Sequence, residues 1–152
     1  MSSKKDFVPF SIENKKYGVA LENFERVYRA VEITTLPNAP AAIQGVFNLR
    51  GEIIPVINIR KRFGVSEKEI SLQDNILLLN FNQKRFAIIV DEIFSMITNQ
   101  ELLAATELYP GIDYVVGVVN HGDELAIICN LALLFQPDEE KFIIESLSEL
   151  DQ

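Results

Sequence analysis

Any chemistry that needs an imidazole must start at His121, the single histidine of the sequence. It stands in Asn120-His121-Gly122-Asp123-Glu124. Beside Asp123 or Glu124 it has oxygen donors close by, but a zinc or copper site needs further ligands at matched spacing, and no second nitrogen ligand is present. Asn, Gly and Asp in succession mark a hairpin turn instead. The acidic pairs Asp91-Glu92 and Asp123-Glu124 are of the right type for general acid–base work. Neighbours on a strand point to opposite faces, so neither pair converges on one substrate atom. They read as turn and surface charges. Ser95 has no histidine partner in a nucleophile arrangement. Gly45 and Gly51 flank a strand and are not followed by the Gly-Lys-Ser or Gly-Lys-Thr of a phosphate-cradling loop. No catalytic, cofactor or metal-binding residue is assigned.

Cys129 is the only cysteine, which excludes an internal disulfide and a thiolate zinc site. It follows Ile127 and Ile128, precedes Leu131 and has no basic neighbour, so it reads as a buried small apolar residue, not a reactive thiol. Arg60-Lys61-Arg62, beside Phe63, is the one basic cluster. The net charge of −8, from 22 acidic and 14 basic side chains, opposes binding to a phosphate backbone and gives no attraction to anionic lipid. The cluster reads as a solvated strand end that continues the alternation of Asn58, Ile59 and Arg60. Apolar runs such as residues 76–79 are too short to cross a bilayer, and Lys4-Lys5-Asp6 opens no secretory signal. The cytoplasm is the expected compartment.

The elements that must position any site are mostly short strands. An apolar fraction of 48% and a charged fraction of 24% are ordinary for a globular chain, with looseness expected only at the ends, such as residues 1–6. Residues 7–12 read as a strand that Pro9 confines to an edge or a bulge. A polar turn at 13–16 leads to a return strand, 17–21. Phe24, Val27, Val31 and Ile33 fit either a strand or a helical turn. The prolines of Leu36-Pro37-Asn38-Ala39-Pro40 stiffen a connector, and residues 41–43 could form one helical turn. Residues 45–59 read as strand, turn and strand about Gly51. A polar loop at 64–74 separates two halves.

The second half repeats the first. Lys15-Lys16-Tyr17 falls on Lys84-Arg85-Phe86, Val19 on Ile88, Leu21 on Val90, Glu22 on Asp91 and Val27 on Met96. In a second block Gly45-Val46-Phe47-Asn48 falls on Gly117-Val118-Val119-Asn120, Glu52 on Glu124, Asn58 on Asn130 and Phe63 on Phe135. Two blocks in the same order imply duplication. Short strands with turn signals imply small barrels. A half this small buries little core alone, so the two should lean together and leave a groove between them for a peptide or ligand. Pro137-Asp138-Glu139-Glu140 starts a helix whose Ile143, Leu147 and Leu150 share one face.

Leu36-Pro37-Asn38-Ala39-Pro40, then residues 45–51 with Asn48-Leu49-Arg50-Gly51, then Ile54-Pro55-Val56-Ile57-Asn58-Ile59-Arg60, resemble the CheW-like coupling proteins of bacterial chemotaxis. Residues 87–91 and 114–118 resemble the second half of the same family. The resemblance implies a mainly β fold of two SH3-like five-stranded barrels with a short C-terminal helix. It further implies a single domain over 7–136, the first barrel near 12–64 and the second near 75–136, followed by the helix at 137–152. The implied function is that of a non-catalytic adaptor joining the cytoplasmic hairpin tips of transmembrane chemoreceptors to the regulatory domain of a histidine autokinase. It would reach membrane arrays through protein contacts, with no nucleic acid, no cofactor and no membrane insertion.

Carried over by position, Gly45, Asn48, Leu49, Arg50 and Gly51 form the family's turn and receptor-side surface, and Phe24 and Val27 line its receptor groove. Core packing is the alternative for Phe24 and Val27, and bracing of the turn for Arg50. Ile93, Phe94 and Met96 fall on the kinase-facing side. Arg26 departs from the family, many of whose members have an acid there. That excludes an ion pair from this position to Arg50 and leaves Glu25 as the substitute. The rival readings are a small barrel enzyme, a small-molecule sensor with a cavity between the halves, and a coupling protein of a pilus or developmental pathway.

Overall fold

Four two-residue turns organise the chain. Glu13-Asn14 joins β1 (Lys4–Ile12) to β2 (Lys15–Ala20), and Arg50-Gly51 joins β4 (Ile43–Leu49) to β5 (Glu52–Ile57). Asn82-Gln83 joins β6 (Asn75–Phe81) to β7 (Lys84–Val90), and Gly122-Asp123 joins β11 (Val115–His121) to β12 (Glu124–Cys129). In the first three both turn residues have positive φ, the backbone that matches the twist of paired strands. The remaining strands are β3 (Phe24–Arg29), β8 (Glu92–Ile93), β9 (Ile97–Glu101) and β10 (Leu103–Ala104). Helices α1 (Ile59–Phe63), α2 (Leu131–Leu134) and α3 (Pro137–Leu150) and a 3₁₀ turn, Leu21–Asn23, are the described helical elements. This is a computed structural model, and it describes residues 4–29, 33–69, 71, 74–104 and 114–150, the last two without their side chains. Val31, Leu150 as a packing residue, and residues 151–152 of the expected helix lie outside the described residues.

The described strands form two sheets, one of 7 strands ordered β10-β11-β12-β2-β1-β8 with β9 also on β1, and one of 5 ordered β3-β6-β7-β5-β4. Strand pairing therefore crosses the expected boundary between barrels. The first hairpin, β1–β2, joins the sheet built from the end of the chain, while β6–β7 joins the sheet built from the first half. Neither 12–64 nor 75–136 is a unit of pairing. A lone hairpin is marginal in water, and each finds its neighbours in the other repeat.

The exchange is reciprocal, residue for residue. In the first sheet Ile128 lies beside Gly18 across the parallel β12–β2 contact. In the second, the equivalent residues Val56 and Ala87 meet across β5–β7. Phe10 pairs with Ile93 where Leu79 pairs with Phe24, and Phe7 with Ile97 where Ile76 pairs with Tyr28. The aromatic pairs agree, since Tyr17 stacks on Phe63 and the equivalent Phe86 packs on Phe135.

Each sheet wraps its own apolar cluster, Phe47, Ile54, Val56, Ile76, Leu78 and Ala87 in the five-stranded one and Phe7, Ile97, Val119, Ala126 and Ile128 in the other. A third and larger cluster lies between them. Phe10, Ile12, Tyr17 and Val19 from one side interlock there with Leu77, Leu79, Phe86 and Ile88 from the other. The seam expected to stay open is thus filled in depth by the protein's own side chains, because the sheets turn apolar faces toward each other. The helix α3 begins at Pro137 as expected. Its Phe142, Ile143 and Leu147 pack into the same cluster.

Three local expectations also change. Residues 4 and 5 of the supposedly loose end pair with Glu101 and Gln100. Pro9 lies in an interior strand, not an edge. It falls between the stretch of β1 that pairs with β9 and the stretch that pairs with β8, so its missing N–H removes no ladder bond on that side. Its carbonyl still accepts the Phe94 N–H at 2.9 Å. Residues 41–43 make a turn into β4, closed by the Ile43 N–H to the Pro40 carbonyl at 2.9 Å, not a helical turn.

Candidate functional site

The five-stranded sheet divides the residues expected to face a receptor. A bulge in β3 places Arg26 opposite Leu78 and Val27 opposite Leu77. Leu77 belongs to the central cluster and Leu78 to the sheet's own cluster. Phe24 and Val27 therefore lie against the central cluster, half-buried at its border. Leu49 packs on the opposite face with Tyr28, and Arg50 follows it into the turn. The seven residues do not form one continuous surface.

Within the motif the roles also separate. Gly45 is buried, and a Cβ there would run into the carbonyl oxygen of Thr34. Its job is close backbone approach, at the point where Thr34 and Val46 exchange hydrogen bonds of 2.8 and 2.9 Å. Asn48 braces the turn, its Oδ1 accepting the Gly51 N–H at 2.7 Å. Gly51, at φ 92°, supplies the left-handed backbone. The Arg50 side chain braces nothing among the described residues. It is exposed, and among the described residues it has no hydrogen bond or ion pair.

Arg50 stands instead on the rim of a recess of about 430 Å³ at the mouth of the five-stranded sheet, with Tyr28, Leu49 and Leu78 as its apolar lining. Glu25, Arg26, Glu52 and Arg85 supply the charge around it. Arg85 grips Glu25 with two hydrogen bonds of 3.0 Å and also pairs with Glu52. The hydrogen bond to Glu25 leads the causes that raise its guanidinium above the ordinary value. The substitute ion pair expected from Glu25 to Arg50 is corrected accordingly, since Glu25 serves Arg85. Arg26, like Arg50, has no partner among the described residues. Sequence reasoning marked Arg26 only as a departure and missed Tyr28, Glu52 and Arg85 as neighbours. The bulge at Glu25 that brings them together leaves no trace in a hydropathy pattern.

The duplicated position in the other sheet is built differently. Lys16 pairs with Glu124 at 2.9 Å, as the equivalent Arg85 pairs with Glu52. Lys16 lowers the Glu124 carboxyl below its ordinary range by that hydrogen bond. Phe94 stands where Glu25 stands in the first repeat, with the Lys16 Nζ 4.7 Å from its ring centroid and His121 at 6.4 Å. Of the residues expected on the kinase side, Ile93 packs against the central cluster, Phe94 meets Lys16 and a tilted His121, and Met96 is 47% exposed.

The basic cluster Arg60-Lys61-Arg62 is not a solvated strand end. The Asn58 side chain accepts the Lys61 N–H and caps α1, which ends at Gly64 in left-handed geometry. Two residues apart on a helix, Arg60 and Arg62 point to opposite sides, and each finds an acid there. Arg60 is buried and reaches Glu13, both oxygens of Asp91 at 2.8 Å, and the Ser66 carbonyl at 2.8 Å. Burial alone would lower its pKa, but the bonds to Glu13 and Asp91 outweigh that and raise it. Asp91, expected as a surface charge, is the anchor of this junction and also accepts the Glu13 N–H at 2.9 Å. Arg62 pairs with the buried Glu139 of α3. Cys129 is buried as expected, and burial pushes its thiol up to about 12. No described helix is long and apolar enough to cross a membrane.

Comparison with known proteins agrees along most of the chain. Residues 6–141 match the CheW-like domain family. The chemotaxis protein CheW of Treponema pallidum is 31% identical over 140 residues, 87% of this chain and 82% of that protein. The CheW of Klebsiella aerogenes is 27% identical over 141 residues, 89% and 84%. The crystal structure of the scaffolding protein TtCheW from Thermoanaerobacter tengcongensis superposes with a TM-score of 0.82 at 30% identity, covering 90% of this chain and 95% of that one.

Proposed function

Since the chain belongs to the CheW-like family of chemotaxis coupling and scaffold proteins, we propose that it joins the cytoplasmic hairpin tips of chemoreceptors to the regulatory domain of a histidine autokinase. The observation that carries this reading is agreement in sequence and in fold over nearly the whole length. The coupling unit is the single domain 7–136, with the C-terminal helix packed on its central cluster. The protein works in the cytoplasm, at receptor arrays that it reaches through protein contacts.

Because the seam is filled, the receptor meets two separate places, the border of the seam where Phe24 and Val27 are half-buried and the turn of Asn48, Leu49, Arg50 and Gly51 beyond the opposite face. The kinase takes the equivalent border of the other repeat, with Ile93, Phe94 and the exposed Met96. Individual contacts of this size are modest, and an array multiplies them. Co-sedimentation with receptor-containing membranes and the cognate kinase tests the reading: retention of both supports it, and retention of neither rejects it. Phe24→Asp is expected to lower receptor retention while kinase binding survives. Equal loss of both would mean a collapsed barrel.

A further inference from the structure

Duplication gives this molecule an internal control for what its barrel mouths are built to do. In one repeat the mouth holds Phe94 with Lys16 over its ring and His121 beside it. In the other it is a recess of about 430 Å³ with arginines at its edge. The common part, a cation paired with the first residue of a returning strand, is kept in both as Lys16–Glu124 and Arg85–Glu52. Among the charged residues the differences are Glu25, where the other repeat has Phe94, and Arg26 and Arg50, which take the places of Ser95 and Gly122.

Two local features aim these arginines. The β3 bulge adds Glu25 as an extra residue, so that Glu25 and Arg26 both line the recess. Bulges commonly re-aim a side chain in this way. Arg50 occupies the first turn position at φ 53°, where its equivalent is a glycine and where a side chain on the backbone is unfavourable. Glu13 tolerates the same geometry while holding Arg60. Arg50 has no such tertiary bond among the described residues. Within a chain of net charge −8, Arg85 is matched by Glu25 and Glu52, and Arg26 and Arg50 are left facing the recess.

We propose that Arg26 and Arg50 form a two-pronged receiver for the carboxylate of a glutamate or aspartate presented by a partner protein. Guanidinium forks suit carboxylates, and such bonds are stronger than neutral ones. The recess opens to solvent and is rimmed by charge, whereas sites for metabolites enclose their ligand. A side chain held on another protein's surface fits it better. The proposal rests on the adaptor reading for the identity of that partner, the receptor hairpin, and not for the chemistry of the receiver.

The test has two arms. In the first, arginine Nε–H resonances of the full-length protein are followed while an alanine-based helical peptide with glutamates four residues apart is added. The same peptide with glutamines, and glutarate, serve as comparisons. Saturable shifts at Arg26 and Arg50 with the glutamate peptide alone are expected, weakened about tenfold by Arg26→Gln or by Arg50→Gln. No saturable shift overturns the proposal, and so does glutarate binding as tightly as the peptide, which would make the recess a metabolite site. In the second arm, Arg26→Glu should cut retention on receptor membranes about tenfold with an unchanged melting temperature. Equal retention of parent and variant overturns the receiver and leaves the adaptor reading intact. Failure of the parent itself to be retained overturns the adaptor reading, and the peptide titration then decides the receiver alone.

Discussion

At the scale of single residues, the sharpest consequences come from polar groups enclosed by apolar surroundings. Cys129 is enclosed among isoleucines and leucines, and its thiol is pushed up to about 12 from an ordinary 9.0. Between those two values the unfolded thiol has lost its proton while the folded one keeps it, so the native state binds more protons and stability falls as pH rises. Below pH 9 the effect vanishes. Denaturant titrations should show a loss of roughly 1.4 kcal/mol per pH unit above about pH 9, and Cys129→Ala should remove the thiol's share of that slope. Tyr114, raised by burial, adds loss of the same sign at the alkaline end. The pair between Arg62 and the buried Glu139 gives a second test. Glu139→Gln leaves the guanidinium half-matched in an enclosed place and should cost about 3 kcal/mol in chemical denaturation. A loss below about 0.5 kcal/mol, the range of ordinary surface changes, would mean that water serves Arg62 equally well.

The elements were legible where a residue type dictates local geometry. Hairpin turns, the Pro137 helix start and the apolar strands followed from composition and period alone. α1 was misread because Asn58-Ile59-Arg60 alternates like a strand end. The cap made by Asn58 and the glycine that closes the helix override that alternation, and the repeated Asn130 caps α2 by accepting the Ala132 N–H. The β3 bulge, and with it the grouping of Arg26 with Arg50, depends on pairing between distant strands. No local pattern carries that information. Gly45 and Gly117 were matched as repeat positions, but their reason emerged only from the strands beside them. A Cβ at either would run into a carbonyl oxygen, of Thr34 or of Leu103. Gly45→Ala and Gly117→Ala should each lower the melting temperature by several degrees, equivalent to about 1–3 kcal/mol. Gly122→Ala, with nothing near its added carbon, should cost less and solely through its left-handed backbone.

For the whole molecule, duplication was visible in the aligned blocks, while the exchange of hairpins was not. Aligned blocks reveal which residues correspond and say nothing about which copy each strand joins. The physical reason for the exchange lies in the short 3₁₀ turn Leu21–Asn23, which carries the chain from one sheet directly into the other. It follows that neither repeat is a folding unit. Fragments covering 1–72 and 73–152 should each remain without dispersed amide resonances, yet mixing them should restore the native spectrum. Native dispersion in either fragment by itself would contradict interdependence. The same arrangement bears on synthesis. The five-stranded sheet has all its strands once Val90 has left the ribosome, but β2 waits for β12, more than a hundred residues downstream. Throughout that interval the nascent chain must hold a finished hairpin with an unpaired edge and an apolar face. Translation speed and chaperone supply thereby become determinants of yield, even for a sequence whose final state is stable.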